Sequence, residues 1–198
     1  MGGRKVRRSA SKLLTNSVVV EILETALILG ILYFGVSGIL MLTFNTDSYW
    51  MAVISNSMLH EEWVDWQAYY TSRERREFLL RQYGPSQAIS QDRLYDPSTF
   101  PIQDGFGRGD LLFIKGVDSI SEISVGDVVI IKRANNIPLT HRIFAAWEEN
   151  GKIRFTTKGD HNSYLLNDDA VIYPEQIIGK VVFVIPKLGN ISLWYQGK

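Results

Sequence analysis

The sequence predicts a mainly β protein, an antiparallel sheet or partly open barrel. It is carried on one N-terminal transmembrane helix and interrupted by a partly helical insertion. Three observations predict this. Thr25 to Phe44 runs without a charge or a proline. Such a run, at about 1.5 Å per residue, spans the roughly 30 Å hydrocarbon core of a bilayer. After Gly109 come five short Val/Ile/Phe-rich runs (DLLFIKG, GDVVIIKR, HRIFAAWEE, KIRFTTKG, GKVVFVIP) separated by turn residues. Close spacing with no helical pattern between them argues for antiparallel strands. Between anchor and strands lies a polar, aromatic-rich stretch from about Leu59 to Arg108.

The anchor comes first in the chain. Val18 to Val20 extend the apolar run, with Glu21 and Glu24 near the expected interface. Arg4, Lys5, Arg7, Arg8 and Lys12 precede it, and no Lys or Arg follows until Arg73. The positive-inside rule therefore predicts a cytoplasmic basic tail over 1–17, a signal-anchor over 18–44 and an extracytoplasmic domain over 45–198. No small-residue cleavage site follows the run, so an uncleaved anchor is expected.

Within 45–198, Tyr49 to Ser55 (YWMAVIS) is β-prone. Thr71 with Glu74 matches a capping box, and a helix is predicted from Ser72 to about Gln82, ending at Gly84-Pro85. Ser86 to Gly107 reads as loop, and Asn150-Gly151 as a hairpin turn. Trp63, Trp66, Tyr69 and Tyr70 fit either a membrane-interface belt or the core of a small helical cap.

Composition narrows the chemistry. Lys+Arg number 21 and Asp+Glu 21, for a formal net charge of zero. No global field attracts a polyanion, and no nucleic-acid partner is expected. With no cysteine, disulfides, Cys-ligated zinc and a thiol nucleophile are excluded. A serine needs an adjacent base to act as a nucleophile, and a histidine fixed by a carboxylate meets that need. The candidates are Ser57 in ISNSM, His60, His141 and His161, and the acids Asp160, Asp168 and Asp169. Taken singly, each also suits a loop, a strand end or a turn.

Together and in order, SNSM (55–58), RGDLLFIK (108–115), VGDVVIIKR (125–133), IPLTHRI (137–143), FTTKGDHN (155–162), NDD (167–169) and IIGKVVFVIPKLG (177–189) resemble the boxes of type I signal peptidases of the archaeal and endoplasmic-reticulum branch. The resemblance implies a serine endopeptidase that cleaves signal peptides from translocated precursors. It implies Ser57 as nucleophile, His141 as general base and Asp169 as the orienting acid, with Asp160 a second functional carboxylate and Asp168 left open beside Asp169. Lys158 and His60 are runner-up bases. The Ser57 backbone N–H and the Ser55 hydroxyl are the implied oxyanion donors. Ala52, Val53, Ile54, Asp110, Leu111 and Leu112 are candidates to pair with an extended substrate carrying small residues at −1 and −3. The implied partners are signal peptides, the lipid bilayer and the translocation channel, with neither metal nor cofactor required. The membrane would be the cell membrane, or that of the endoplasmic reticulum in a eukaryote. A single anchor, histidine-type boxes and the insertion suggest an archaeal source. The chain departs from the pattern at Asn56, at Leu59-His60 and in the long stretch between Met58 and Gly109. A catalytically silent membrane-anchored peptide-binding or scaffold domain is the alternative.

Overall fold

The structure is a computed structural model that describes residues 3–62, 65–83, 94–134 and 137–197. It divides into two compact units, Met1–Thr43 and Phe44–Lys198. The first is a single helix, α1, Gly3–Phe44 in the described residues. It starts well before the predicted span because the preceding Lys- and Arg-rich segment has good helix propensity and no proline. Ser17–Phe44 is long and apolar enough to cross a membrane, and none of its residues is buried.

The second unit is built on six antiparallel strands: β1 (Trp50–Ala52), β2 (Leu111–Gly116), β3 (Val128–Ile131), β4 (Leu139–Glu149), β5 (Lys152–Lys158) and β6 (Ile177–Ile185). Their order is β1-β2-β6-β3-β4-β5. The sheet stays open, with β1 and β5 at its edges, as the expected antiparallel sheet or partly open barrel requires. The five predicted strand runs each form a strand, and the YWMAVIS run contributes only its three residues of β1. Asn150 (φ 52°) and Gly151 (φ 73°) both take the left-handed conformation that joins β4 tightly to β5.

Strand burial follows from position. Central β3 is buried on both faces, as its unbroken VVII run requires. Val128 and Ile130 pack with Met58, Leu112, Ile114 and Val181, whereas Val129 and Ile131 pack with Ile143, Phe155 and Ile172 on the opposite face. At about 25 cal/mol per Å² of apolar surface, each such residue contributes on the order of 2 kcal/mol.

The insertion carries two short helices, α2 (Ala68–Thr71) and α3 (Arg73–Tyr83). Ser72, not Thr71, caps α3: its hydroxyl accepts the Arg75 N–H at 3.3 Å. Thr71 instead ends α2, its hydroxyl donating to the Gln67 carbonyl. The predicted stop at Gly84-Pro85 lies outside the described residues. Asp96 caps a 3-10 turn at Pro97–Thr99 within the stretch read as loop. Trp66 and Tyr70 are buried in a core with Leu79, Leu80, Phe100, Phe144 and Trp147. This places Trp66, Tyr69 and Tyr70 in a cap packed on β4, and Trp63 lies outside the described residues. Arg76 seals that contact, donating to the Phe144 carbonyl at 3.0 Å. A short C-terminal helix, α4 (Asn190–Tyr195), was not expected from the sequence. At six residues it is too brief to show helical periodicity.

Candidate active site

Three chain segments meet at one cleft of about 830 Å³. The first is the run after β1. Beyond Ala52 the backbone still pairs, Val53 donating to the Asp110 carbonyl at 2.9 Å. The turn that follows presents Ser55 and Ser57, whose hydroxyl oxygens lie 3.3 Å apart. The second segment is the start of β4, which carries His141. The third is the turn leaving β5. Arg142 pairs with Lys158 in the β4–β5 register, so antiparallel pairing sets His141 opposite Gly159.

That juxtaposition is tight. A methyl group built on Gly159 would lie 2.8 Å from His141 Nε2, 2.8 Å from the Ser57 carbonyl oxygen and 2.7 Å from Asn162 Nδ2. No side chain fits there, which is a physical reason for glycine in KGD. The His161 N–H donates to the Ser57 carbonyl at 2.9 Å, and the Asp160 N–H to Met58 Sδ. The Ser57 segment is thus stitched to the turn that faces the imidazole.

His141 is buried, and its Nδ1 donates to Asp169 Oδ1 at 2.6 Å. The same oxygen accepts the Thr157 hydroxyl at 2.6 Å, and Asp169 Oδ2 accepts the Leu166 N–H at 3.2 Å. The 3-10 turn Asn167–Asp169 delivers this carboxylate. Pairing of Ile172 with Phe155 returns that segment to β5. A carboxylate accepts, so Asp169 orients the ring by its Nδ1–H and leaves Nε2 turned away from it. Nε2 is buried and has no hydrogen-bond partner. Tyr70 Oη, Arg76 Nε, Trp147 Nε1 and Arg154 Nε are also buried without a hydrogen-bond partner, and His141 differs from them in lining the cleft beside a serine. Ser57 and His141 both line the cleft, with no hydrogen bond between them in this resting geometry.

The other candidates separate. Asp160 does not touch His141. It binds Arg142 through Nε and Nη2 at 2.7–3.1 Å and His60 Nε2 at 2.8 Å. Burial pushes the Asp160 carboxyl up, but the His60 hydrogen bond and the Arg142 guanidinium outweigh it and hold the group below its ordinary value. Asp168 is exposed and pairs with Arg133 at 2.9 Å. Lys158 donates to the Gly159 carbonyl and lies over the Tyr69 ring at 4.0 Å. Burial lowers its ammonium to about 8 despite Asp160 and Asp169 nearby. His161 Nδ1 contacts the Leu59 carbonyl at 3.2 Å.

Of the residues expected to meet substrate, Ala52, Val53, Ile54 and Leu112 line the cleft and Asp110 and Leu111 do not. Leu111 is buried between Ala52 and Ile185 as a strand partner. Asp110 accepts the Gly107 and Lys187 N–H groups. Burial opposes its ionisation, but these bonds and the Lys187 ammonium hold its carboxyl low. The sequence reading assigned no role to Thr157, Gly159 or Asn162. All three sit within FTTKGDHN, and strand alternation sets Thr157 and Gly159 on one side of β5.

No family model matches the chain. Curated relatives do. The signal peptidase complex catalytic subunit SEC11 of Colletotrichum graminicola is 33% identical over 98 residues, covering 46% of this chain and 57% of that protein. The homologous subunit of Pyricularia oryzae is 33% identical over 101 residues, with the same coverage. SEC11C of Canis lupus familiaris is 31% identical over 102 residues, 46% of this chain and 51% of that protein. The chain is similar to signal peptidase catalytic subunits. It spans little more than half the length of these relatives. All three are eukaryotic, which gives no support to an archaeal source.

Proposed function

We propose that this chain is a membrane-bound serine endopeptidase that cleaves N-terminal signal peptides from translocated precursors. The observation that carries the reading is the His141 imidazole. Asp169 holds it by Nδ1, and Nε2 is left unpaired at the cleft that Ser57 also lines.

In this mechanism Nε2 takes the Ser57 proton as Oγ attacks the scissile carbonyl. Asp169 stabilises the imidazolium, which then protonates the leaving amine, and water releases the acyl group from Ser57 by the same steps reversed. The Ser57 N–H and the Ser55 hydroxyl serve the oxyanion, donors worth about 3–4 kcal/mol each in related chemistry. All these roles are met by side chains and backbone.

The substrate adds as an extended strand beside β1, which lies at the sheet edge. Met51 to Ile54 and Leu112 line the apolar part of the cleft. In this reading α1 spans the bilayer through Ser17–Phe44. The basic flank is cytoplasmic, the β unit is outside, and the translocation channel is the source of precursors. The membrane is that of the endoplasmic reticulum in a eukaryote and the cell membrane in an archaeon. The test is cleavage of a precursor with an Ala-x-Ala site by the full chain in vesicles. Processing that persists in a Ser57→Ala variant refutes the assignment.

A further inference from the structure

The insertion meets the catalytic turns through one charged cluster. Three successive carbonyls, those of Pro101, Ile102 and Gln103, are all captured. Arg142 Nη1 donates to Pro101 at 2.6 Å and Nη2 to Ile102 at 3.0 Å, and His60 Nδ1 donates to Gln103 at 2.8 Å. Ile102 is β-branched yet adopts φ 57°, a strained conformation that persists only where its surroundings impose it. Asp160 joins the two clasping side chains, accepting from Arg142 and from His60 Nε2. The Trp66 ring contacts both, stacked on His60 at 4.8 Å and facing the Arg142 guanidinium at 4.5 Å.

Both nitrogens of His60 therefore face groups that only accept. The ring bridges two acceptors, one on the insertion and one on the 158–162 turn. Each clasp is covalently close to the site. His60 follows Ser57 by three residues, Arg142 adjoins His141, and Asp160 adjoins Gly159. Leu59–His60 is also where the chain leaves the signal peptidase pattern.

We propose that His60 is a positioning residue, which with Arg142 and Asp160 clamps the 101–103 segment of the insertion to the 158–162 turn and so holds Ser57 against His141. The insertion is then part of the catalytic scaffold. The role rests on the proposed peptidase reading, because it concerns the alignment of that nucleophile and base. His60 touches neither substrate nor reacting atoms and acts through Asp160.

Three variants of the full chain in vesicles separate donor from packing. His60→Ala loses both, His60→Phe keeps the Trp66 stack without donors, and His60→Lys keeps a donor without the stack. The readout is kcat and KM on a precursor peptide with an Ala-x-Ala site. The expected result is a roughly tenfold fall in kcat for Ala and Phe with KM within twofold, and recovery to within about threefold for Lys. Wild-type kcat in the Phe variant overturns the proposal, and so does a Lys variant no better than Ala. Should Ala fail to fold, the Phe–Lys pair still decides. No cleavage by the wild-type chain would instead reject the peptidase reading, leaving the two failures distinct.

Discussion

Among the described residues, the imidazole–carboxylate pairs His141–Asp169 and His60–Asp160 are opposites. In His141–Asp169 both side chains are wholly buried, and one ring nitrogen is left without a partner. In His60–Asp160 the imidazole is 13% exposed and both nitrogens are engaged. The residue types are the same, and the bonds to the second nitrogen differ. A ring with an unused lone pair at a cleft can accept a proton; a ring spent on two acceptors can only hold structure. A motif of His and Asp therefore says little until all its valences are counted.

The comparison can be broken by experiment. Ser57→Ala should cost the most, lowering precursor cleavage by at least about 10³-fold while leaving the unfolding temperature nearly unchanged. His141→Ala should match it within an order of magnitude, and the double variant should be no worse than either single one. Asp169→Asn should lower kcat by about 10²–10⁴-fold, because an amide favours the wrong tautomer. Equal losses of stability and activity in Asp169→Asn would erase the contrast between the pairs.

Asp160→Asn should act first on stability, by about 3–5 kcal/mol, since it strands a buried Arg142. The Asp160 carboxyl is depressed in the folded state. Its stabilisation is therefore present above the ordinary Asp value of about 4 and is lost as pH falls through the lower folded value. Urea midpoints measured from pH 6 down to 2 should show that acid loss in the wild type and a shallower one in the variant.

Lys158 moves stability in the same direction with pH, but in a higher window and because burial penalises its charged form. Its ammonium is lowered to about 8, so the folded chain binds fewer protons than the unfolded one above that pH. Stability should rise between about pH 8 and 10, and Lys158→Met should flatten the rise. The smallest change is Thr157→Val, which removes one donor from Asp169. It should cost about 1 kcal/mol of stability and a few-fold in kcat, readable as a parallel drop in both assays.

Much of this was legible in the chain. The apolar run, the strand runs and Asn150-Gly151 each carry local signals, and each appears as an element. Ser57, His141 and Asp169 were named only through the order of several boxes, since no single one of them is distinctive. Which acid meets His141 was not readable. Asp160 and Asp169 both lie near it in sequence, and only the β5 turn sends one towards Arg142 and the other towards the imidazole. The part played by His60 was equally hidden. Its partners, Gln103 and Asp160, stand 43 and 100 residues away, and no pattern of spacing encodes contacts across such lengths. The Thr71 cap failed for a smaller reason: two neighbouring hydroxyls compete for one helix start, and Ser72 is one residue closer to it.

β1 is an edge strand of only three residues. In the proposed reading, a peptide that docks there gains few main-chain bonds, which favours release of the cleaved fragment. The same brevity gives a second copy of the chain little to zip onto, which guards the molecule against stacking edge to edge. Loose grip and resistance to self-association are then one property of a short border.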